Sequence, residues 1–130
     1  MANTINLNRK NTYITIWLYL SLFLVFLLIF IGGLTRLTES GLSITNWELF
    51  SGILPPLTDK KWEYYFSLYK QIPQYKEINF GMSLAEFKYI FWWEYIHRLL
   101  ARLASLTFIL PFIYFVIKKK FYYTILMLYI

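Results

Sequence analysis

Between Lys10 and Arg36 the chain carries no charged residue, and the stretch Tyr13 to Ile31 (YITIWLYLSLFLVFLLIFI) is apolar almost throughout. A run of that length matches the roughly 20 residues needed to cross the hydrocarbon core of a bilayer as a helix. A secretory signal also opens with basic residues and an apolar run. Its apolar region is shorter, however, and Gly32-Gly33-Leu34-Thr35-Arg36 lacks the small-x-small pattern of a cleavage site. The composition of the whole 130-residue chain agrees with a membrane class: 58% of residues are hydrophobic, 22% aromatic, and the mean hydropathy is +0.47. The net charge of +6 does not point to nucleic acid, because the bases gather at the ends of apolar runs instead of lining one face. With no cysteine, disulfides, iron–sulfur clusters and thiolate metal sites are excluded. The single histidine excludes any site that takes two imidazoles from one copy of the chain.

The sequence divides accordingly. Residues 1–12 form a polar amino terminus, and 13–33 the first transmembrane helix. Residues 34–82 form a polar, aromatic-rich loop punctuated by Gly41, Gly52, Pro55-Pro56, Pro73 and Gly81. Within that loop a short amphipathic helix is expected over 58–72. Thr58 would cap it, Asp59 would sit in its first turn, and Trp62, Tyr65, Phe66 and Tyr69 would share one face. Pro73 would stop it. Such an aromatic face suits the membrane–water interface. Residues 83–117 contain the second transmembrane helix. Ser83-Leu84-Ala85-Glu86 reads as a capping box, with Met82 and Phe87 placed as a hydrophobic staple. That helix is longer than a bilayer is thick, so its first two turns or so should project. Pro111 removes a backbone donor and should kink it. Lys118–Lys120 form a loop, and 121–130 (FYYTILMLYI) read as the start of a third transmembrane helix, cut short. The expected fold is thus an all-α integral membrane protein with two full spans and a truncated third.

Orientation follows from the positive-inside rule. Arg9 and Lys10 precede the first span and three lysines follow the second, whereas Leu34 to Lys88 holds six basic and six acidic residues. The amino terminus and the lysines therefore face the cytoplasm, and the aromatic loop faces outward. Without an Arg- and Ser-rich leader, a bacterial inner membrane is expected over a mitochondrial one.

Chemistry concentrates in one place. Glu94, His97, Arg98 and Arg102 put four ionisable groups within nine residues near the outer end of a membrane helix. Such groups cost several kcal/mol each unless paired or functional, on the order given by insertion scales. Glu94 and Arg98, and Arg98 and Arg102, stand at i, i+4, and Glu94 and His97 at i, i+3, along one stripe. A neutral imidazole is what an iron porphyrin takes as axial ligand, and Ala101 would let a flat ring approach the backbone. Arg98 and Arg102 suit propionate carboxylates, and Glu94 suits proton handling. Spacing alone leaves a second reading open, in which Glu94 and Arg98 are an ion pair and His97 bonds a neighbouring helix.

Two blocks of residues also resemble a family. Gly32-Gly33-Leu34-Thr35-Arg36-Leu37-Thr38-Glu39-Ser40-Gly41-Leu42-Ser43-Ile44, with Trp47, Gly52 and Pro55-Pro56-Leu57, is similar to the first-loop signature of the haem A synthases. So is Glu86-Phe87-Lys88 followed by Glu94-Tyr95-Ile96-His97-Arg98. Ile72-Pro73-Gln74-Tyr75-Lys76, Asn79 and Met82 resemble the mitochondrial and alphaproteobacterial branch. The resemblance covers roughly residues 15 to 117. It implies an eight-span fold of two four-helix halves, of which this chain is the amino-terminal part. It also implies oxidation of the C8 methyl of haem O to the formyl of haem A for cytochrome oxidase. The amino-terminal half would hold haem O, and the absent carboxy-terminal half a haem b for electron transfer. His97 would be the axial iron ligand, Glu94 the acidic residue of a Glu-x-x-His motif, and Arg36 and Arg98 propionate contacts. The implied partners are haem O, membrane lipid, the carboxy-terminal half or a second copy, a haem O synthase and an electron donor. Position 101 is Ala where Gly is expected in many relatives.

Length sets this chain apart from the family pattern, and a fragment, a split-gene product or a relic would each account for it. Two other functions compete with the synthase. One is a small b-type cytochrome-like subunit in which two copies each give His97 to one iron. The other is a non-catalytic membrane subunit whose polar stripe only packs helices.

Overall fold

The computed structural model describes the backbone of residues 2–45 and 53–117, with side chains from residue 12 onward. The lysine loop expected at 118–120, the third helix expected at 121–130, and Trp47 and Gly52 lie outside the described residues. Among the described residues the elements are four helices: α1 (Ala2–Leu37), α2 (Asp59–Tyr69), α3 (Pro73–Glu77) and α4 (Leu84–Ile117). Two of them contain stretches long and apolar enough to span a bilayer, Thr12–Leu37 and Leu84–Ile117. At 1.5 Å per residue these are about 39 and 51 Å long.

The first helix overruns its expected bounds at both ends. No Pro or Gly occurs before Gly32, so once nucleated the helix extends back through the polar start. Gly32 and Gly33 do not end it either. Thr35 Oγ donates to Gly32 O at 2.7 Å and Thr38 Oγ to Leu34 O at 2.8 Å, which keeps the hydroxyls bonded inside the last turns. The stop comes at Glu39, in the left-handed region with φ 52°. Around it Ser40 N–H donates to Thr35 O (2.9 Å) and Glu39 N–H to Arg36 O (3.2 Å), the paired bonds of a Schellman termination. A glutamate therefore holds a position that glycine usually takes.

The chain divides into two compact units, one of Leu28–Leu100 and one of Met1–Leu27 with Ala101–Ile130. In the first unit the core is aromatic. Trp62, Phe66 and Tyr69 of α2 pack on Phe87, Ile90 and Phe91 of α4. The rings of Trp62 and Phe91 meet edge to face at 4.9 Å, while those of Phe66 and Phe87 lie nearly parallel at 5.1 Å. The aromatic face read from the sequence is thus covered by α4 and is not left open. Helix α2 starts on the Thr58 cap, as expected, but ends at Tyr69 and not at 72. Pro73 does not terminate it; it occupies the first position of α3, where a missing N–H costs nothing. Tyr69 is fully buried and accepts a 2.8 Å hydrogen bond from Asn79 Nδ2. Burial pushes its phenol above the ordinary value, while the bond from Asn79 acts the other way.

The capping box is present. Ser83 N–H donates to Glu86 Oε2 at 2.8 Å and Glu86 N–H to Ser83 Oγ at 3.3 Å. Met82 packs against the cluster that contains Phe87, as a staple requires.

In the second unit the consequence of Pro111 is visible. Proline has no N–H, so the carbonyl of Thr107, four residues earlier, loses its helical donor. The indole N–H of Trp17 in α1 supplies one, at 2.7 Å. The same indole stacks on Phe108 at 5.8 Å and meets Phe115 at 5.5 Å. Left unpaired away from water, that carbonyl would cost on the order of 1–3 kcal/mol.

Candidate functional site

Glu94 lies on the inner face of α4, three turns after the capping box, and is 4% exposed. A carboxylate so buried has to be matched by donors, and four reach it. Ser43 Oγ (2.7 Å) and the Ile44 N–H (2.8 Å) donate to Oε2. Arg98 Nε (3.0 Å) and Nη2 (2.6 Å) donate to Oε1. Arg98 Nη2 also donates to the Ile44 carbonyl at 3.1 Å. The i, i+4 pair anticipated from spacing therefore exists, and it does more than neutralise charge. Together Glu94 and Arg98 hold both backbone groups of Ile44 and tie the segment after α1 onto α4. The Schellman turn and the side-chain amide of Gln74, which donates to the Glu39 carbonyl, fix that segment from the other side.

His97 follows three residues on and is half-buried. Among the described residues its imidazole has no hydrogen-bond partner; it packs instead against α1. A Cβ built on Gly32 would lie 3.1 Å from Nε2, 3.5 Å from Cδ2 and 3.9 Å from Cε1. Those unequal, short distances put the point above the ring plane at its Nε2 edge, not straight along the lone pair. Among the described residues no three His, Cys, Asp or Glu converge on a common point.

The predicted arginines divide. Arg98 is engaged as above. Of its five N–H donors, the two on Nη1 take no part in those bonds. Arg36 is exposed on the last turn of α1, where its charge also suits the helix carboxy terminus. Arg102 is half-buried and belongs to the other compact unit. Sequence reasoning assigned no role to Gly32, Ser43 or Ile44. Two adjacent glycines in an apolar helix cost about 1 kcal/mol each against alanine, which is a signal of close packing that can be read in advance. Nothing in the sequence marks the Ile44 backbone.

The match to known proteins can now be set beside this geometry. A family model described as cytochrome oxidase assembly protein (COX15-CtaA) matches residues 15–130. The chain is 52% identical over 122 residues to a protein named heme A synthase from Pelagibacter ubique (strain HTCC1062), covering 92% of this chain and 36% of that protein. Against heme A synthase of Agrobacterium fabrum (strain C58 / ATCC 33970) it is 60% identical over 107 residues, 82% of this chain and 29% of the relative. Against that of Nitrosospira multiformis (strain ATCC 25196 / NCIMB 11849 / C 71) it is 55% identical over 106 residues, 82% and 30% of the two chains. The chain spans about a third of the length of these curated relatives. No solved structure matches. Two apolar helices of spanning length and the matched family make this an integral membrane protein, and the chain belongs to the cytochrome oxidase assembly protein family.

Proposed function

We propose that the protein to which this sequence belongs is a haem A synthase, oxidising the C8 methyl of haem O to a formyl with electrons from an external carrier. One observation carries the reading most directly. A single imidazole, His97, without a hydrogen-bond partner among the described residues, stands three residues after a buried Glu94 whose carboxylate is held by Arg98, Ser43 and Ile44, on a membrane helix. The names of the relatives support the substrate class.

In this reading haem O is the substrate, and its iron takes His97 as one axial ligand. Arg98 contributes its Nη1 hydrogens to a propionate while the rest of its guanidinium stays on Glu94. Arg36 is a second propionate contact, and Arg102 a third proposed on helical spacing alone. Glu94 is the proton-handling group. All four of its acceptor positions are taken, so a proton can arrive only if one donor gives way. Ser43 is the donor able to do so: its hydroxyl can turn and accept from a protonated carboxyl, which neither Arg98 nor a backbone N–H can do. A haem b for electron transfer, a haem O synthase and the remaining part of the protein complete the set of proposed partners. Arg9 and Lys10 ahead of the apolar stretch Thr12–Leu37, and Lys118–Lys120 beyond Ile117, support a cytoplasmic amino terminus, and a bacterial inner membrane is the proposed setting.

The test is the visible absorption spectrum of the detergent-purified chain expressed with haem O available, beside His97→Ala. Low-spin haem bands that disappear in His97→Ala are the expected result. Bands that persist unchanged without the only imidazole would overturn the assignment.

A further inference from the structure

Gly32 and Gly33 are neighbours in sequence and in the same helix, yet their surroundings differ completely. A Cβ on Gly32 would meet the imidazole of His97 at 3.1 Å, whereas a Cβ on Gly33 would meet nothing within 4 Å. Neither glycine has a positive φ, so backbone conformation does not call for glycine at either position. What distinguishes Gly32 is the space it leaves at the Nε2 edge of one ring. At 3.1 Å the neighbour has to give by a few tenths of an ångström, and the neighbour is the end of a side chain that can turn.

We propose that Gly32 is a positioning residue for His97: the bare backbone of α1 at this point is the surface against which the Nε2 edge of the imidazole packs, and it sets the direction of the Nε2 lone pair. Two other constraints close the arrangement. Glu94, one turn before His97, and Arg98, one residue after it, are tied to Ser43 and Ile44, so the α4 backbone that carries His97 is held to the segment following α1. Two residues after Gly32, Leu34 begins the hydroxyl-bonded turns that end α1 at Glu39. The ring is therefore carried by a fixed backbone and rests against a fixed backbone, leaving rotation about its own side-chain bonds as the remaining freedom. A methyl at position 32 would crowd the ring in its present orientation and force it to turn. An axial ligand has to present its lone pair along one direction, so orientation is the property worth holding.

The proposal rests on the reading of His97 as an iron ligand only for its purpose, and the experiment separates the two. His97 is the only histidine, so the side-chain 15N and Hε1 resonances of the histidine-labelled chain in detergent report on one ring without ambiguity. Gly32→Ala is expected to move these resonances, and Gly32→Val to move them further. Gly33→Ala, which gains the same helix propensity in the same turn, should leave them at the wild-type positions. Helix content by circular dichroism in all three variants shows that the fold is kept. Equal shifts for Gly32→Ala and Gly33→Ala, or none for Gly32→Ala, would overturn the positioning role. If the resonances move as expected but the haem spectrum is the same in Gly32→Ala and wild type, the positioning role stands and the ligand assignment fails.

Discussion

The unit formed by Leu28–Leu100 and the one formed by Met1–Leu27 with Ala101–Ile130 are built from the same two long helices, but they are held by different means. In the first, six large side chains are buried among themselves, and Tyr69 and Phe87 are wholly enclosed. Of its buried polar residues, Ser40, Thr35, Ser43 and Glu94 all have partners within the unit, while Thr45 Oγ1 and Gln74 Oε1 are buried without one among the described residues. In the second, Phe23, Phe26, Leu22, Phe108, Leu110 and Tyr114 remain largely exposed, and none of its described residues is a buried hydrophobic. What it does secure is one backbone carbonyl, that of Thr107, through Trp17. The difference follows from the solvent each part meets. Where water is present, apolar rings must cover one another. In lipid an exposed phenylalanine costs nothing, but an unpaired carbonyl is expensive.

That contrast can be broken by truncating the same residue type in each unit. Phe87→Ala should cost about 3–5 kcal/mol, the usual loss for an enclosed phenylalanine. Phe26→Ala, at a position 62% exposed, should cost less than about 0.5 kcal/mol in the same SDS-driven unfolding titration from dodecylmaltoside. Comparable losses at both sites would mean that the two units are not differently held. Glu94→Ala leaves Arg98 and two loop donors without their acceptor and should cost about 3 kcal/mol, with rapid hydrogen exchange at the Ile44 amide. Glu94→Gln keeps one carbonyl acceptor and should retain part of that protection; an Ile44 amide equally protected in Glu94→Ala would remove the anchoring role. The smallest effect sharpens the account of the lipid-facing unit. Trp17→Phe keeps the ring but orphans the Thr107 carbonyl, at about 1–2 kcal/mol. In a Pro111→Ala background the helix supplies its own N–H, so the same substitution should cost markedly less. An unchanged penalty there would show that Trp17 acts by packing alone.

Much of this was legible in the residues. The uncharged run after Lys10 requires a membrane helix, because a charge-free apolar stretch of that length has few other stable settings. Capping signals are equally local: Ser83 and Glu86 bond each other, and Thr58 caps α2, because such bonds span only three residues. The Glu94–Arg98 pair is likewise a property of helical spacing. Element ends were less legible. Gly32-Gly33 looked like a boundary and proved to be interior, and Pro73 looked like a stop and proved to be a start. At Gly32-Gly33 hydroxyl bonds carry the helix on, and at Pro73 the fixed φ of the ring suits the first helical position.

What only the folded chain decided are the long-range meetings. Ser43 and Ile44 reach Glu94 across some fifty positions, Trp17 reaches the carbonyl that Pro111 leaves bare, and Gly32, not Gly33, takes the Nε2 edge of His97. The physical reason is common to all three. A helical pattern states which residues share a stripe of one helix, since rise and turn are fixed by local hydrogen bonds. It carries no information on the rotation of one helix against another, and that rotation determines which backbone atom stands opposite which side chain.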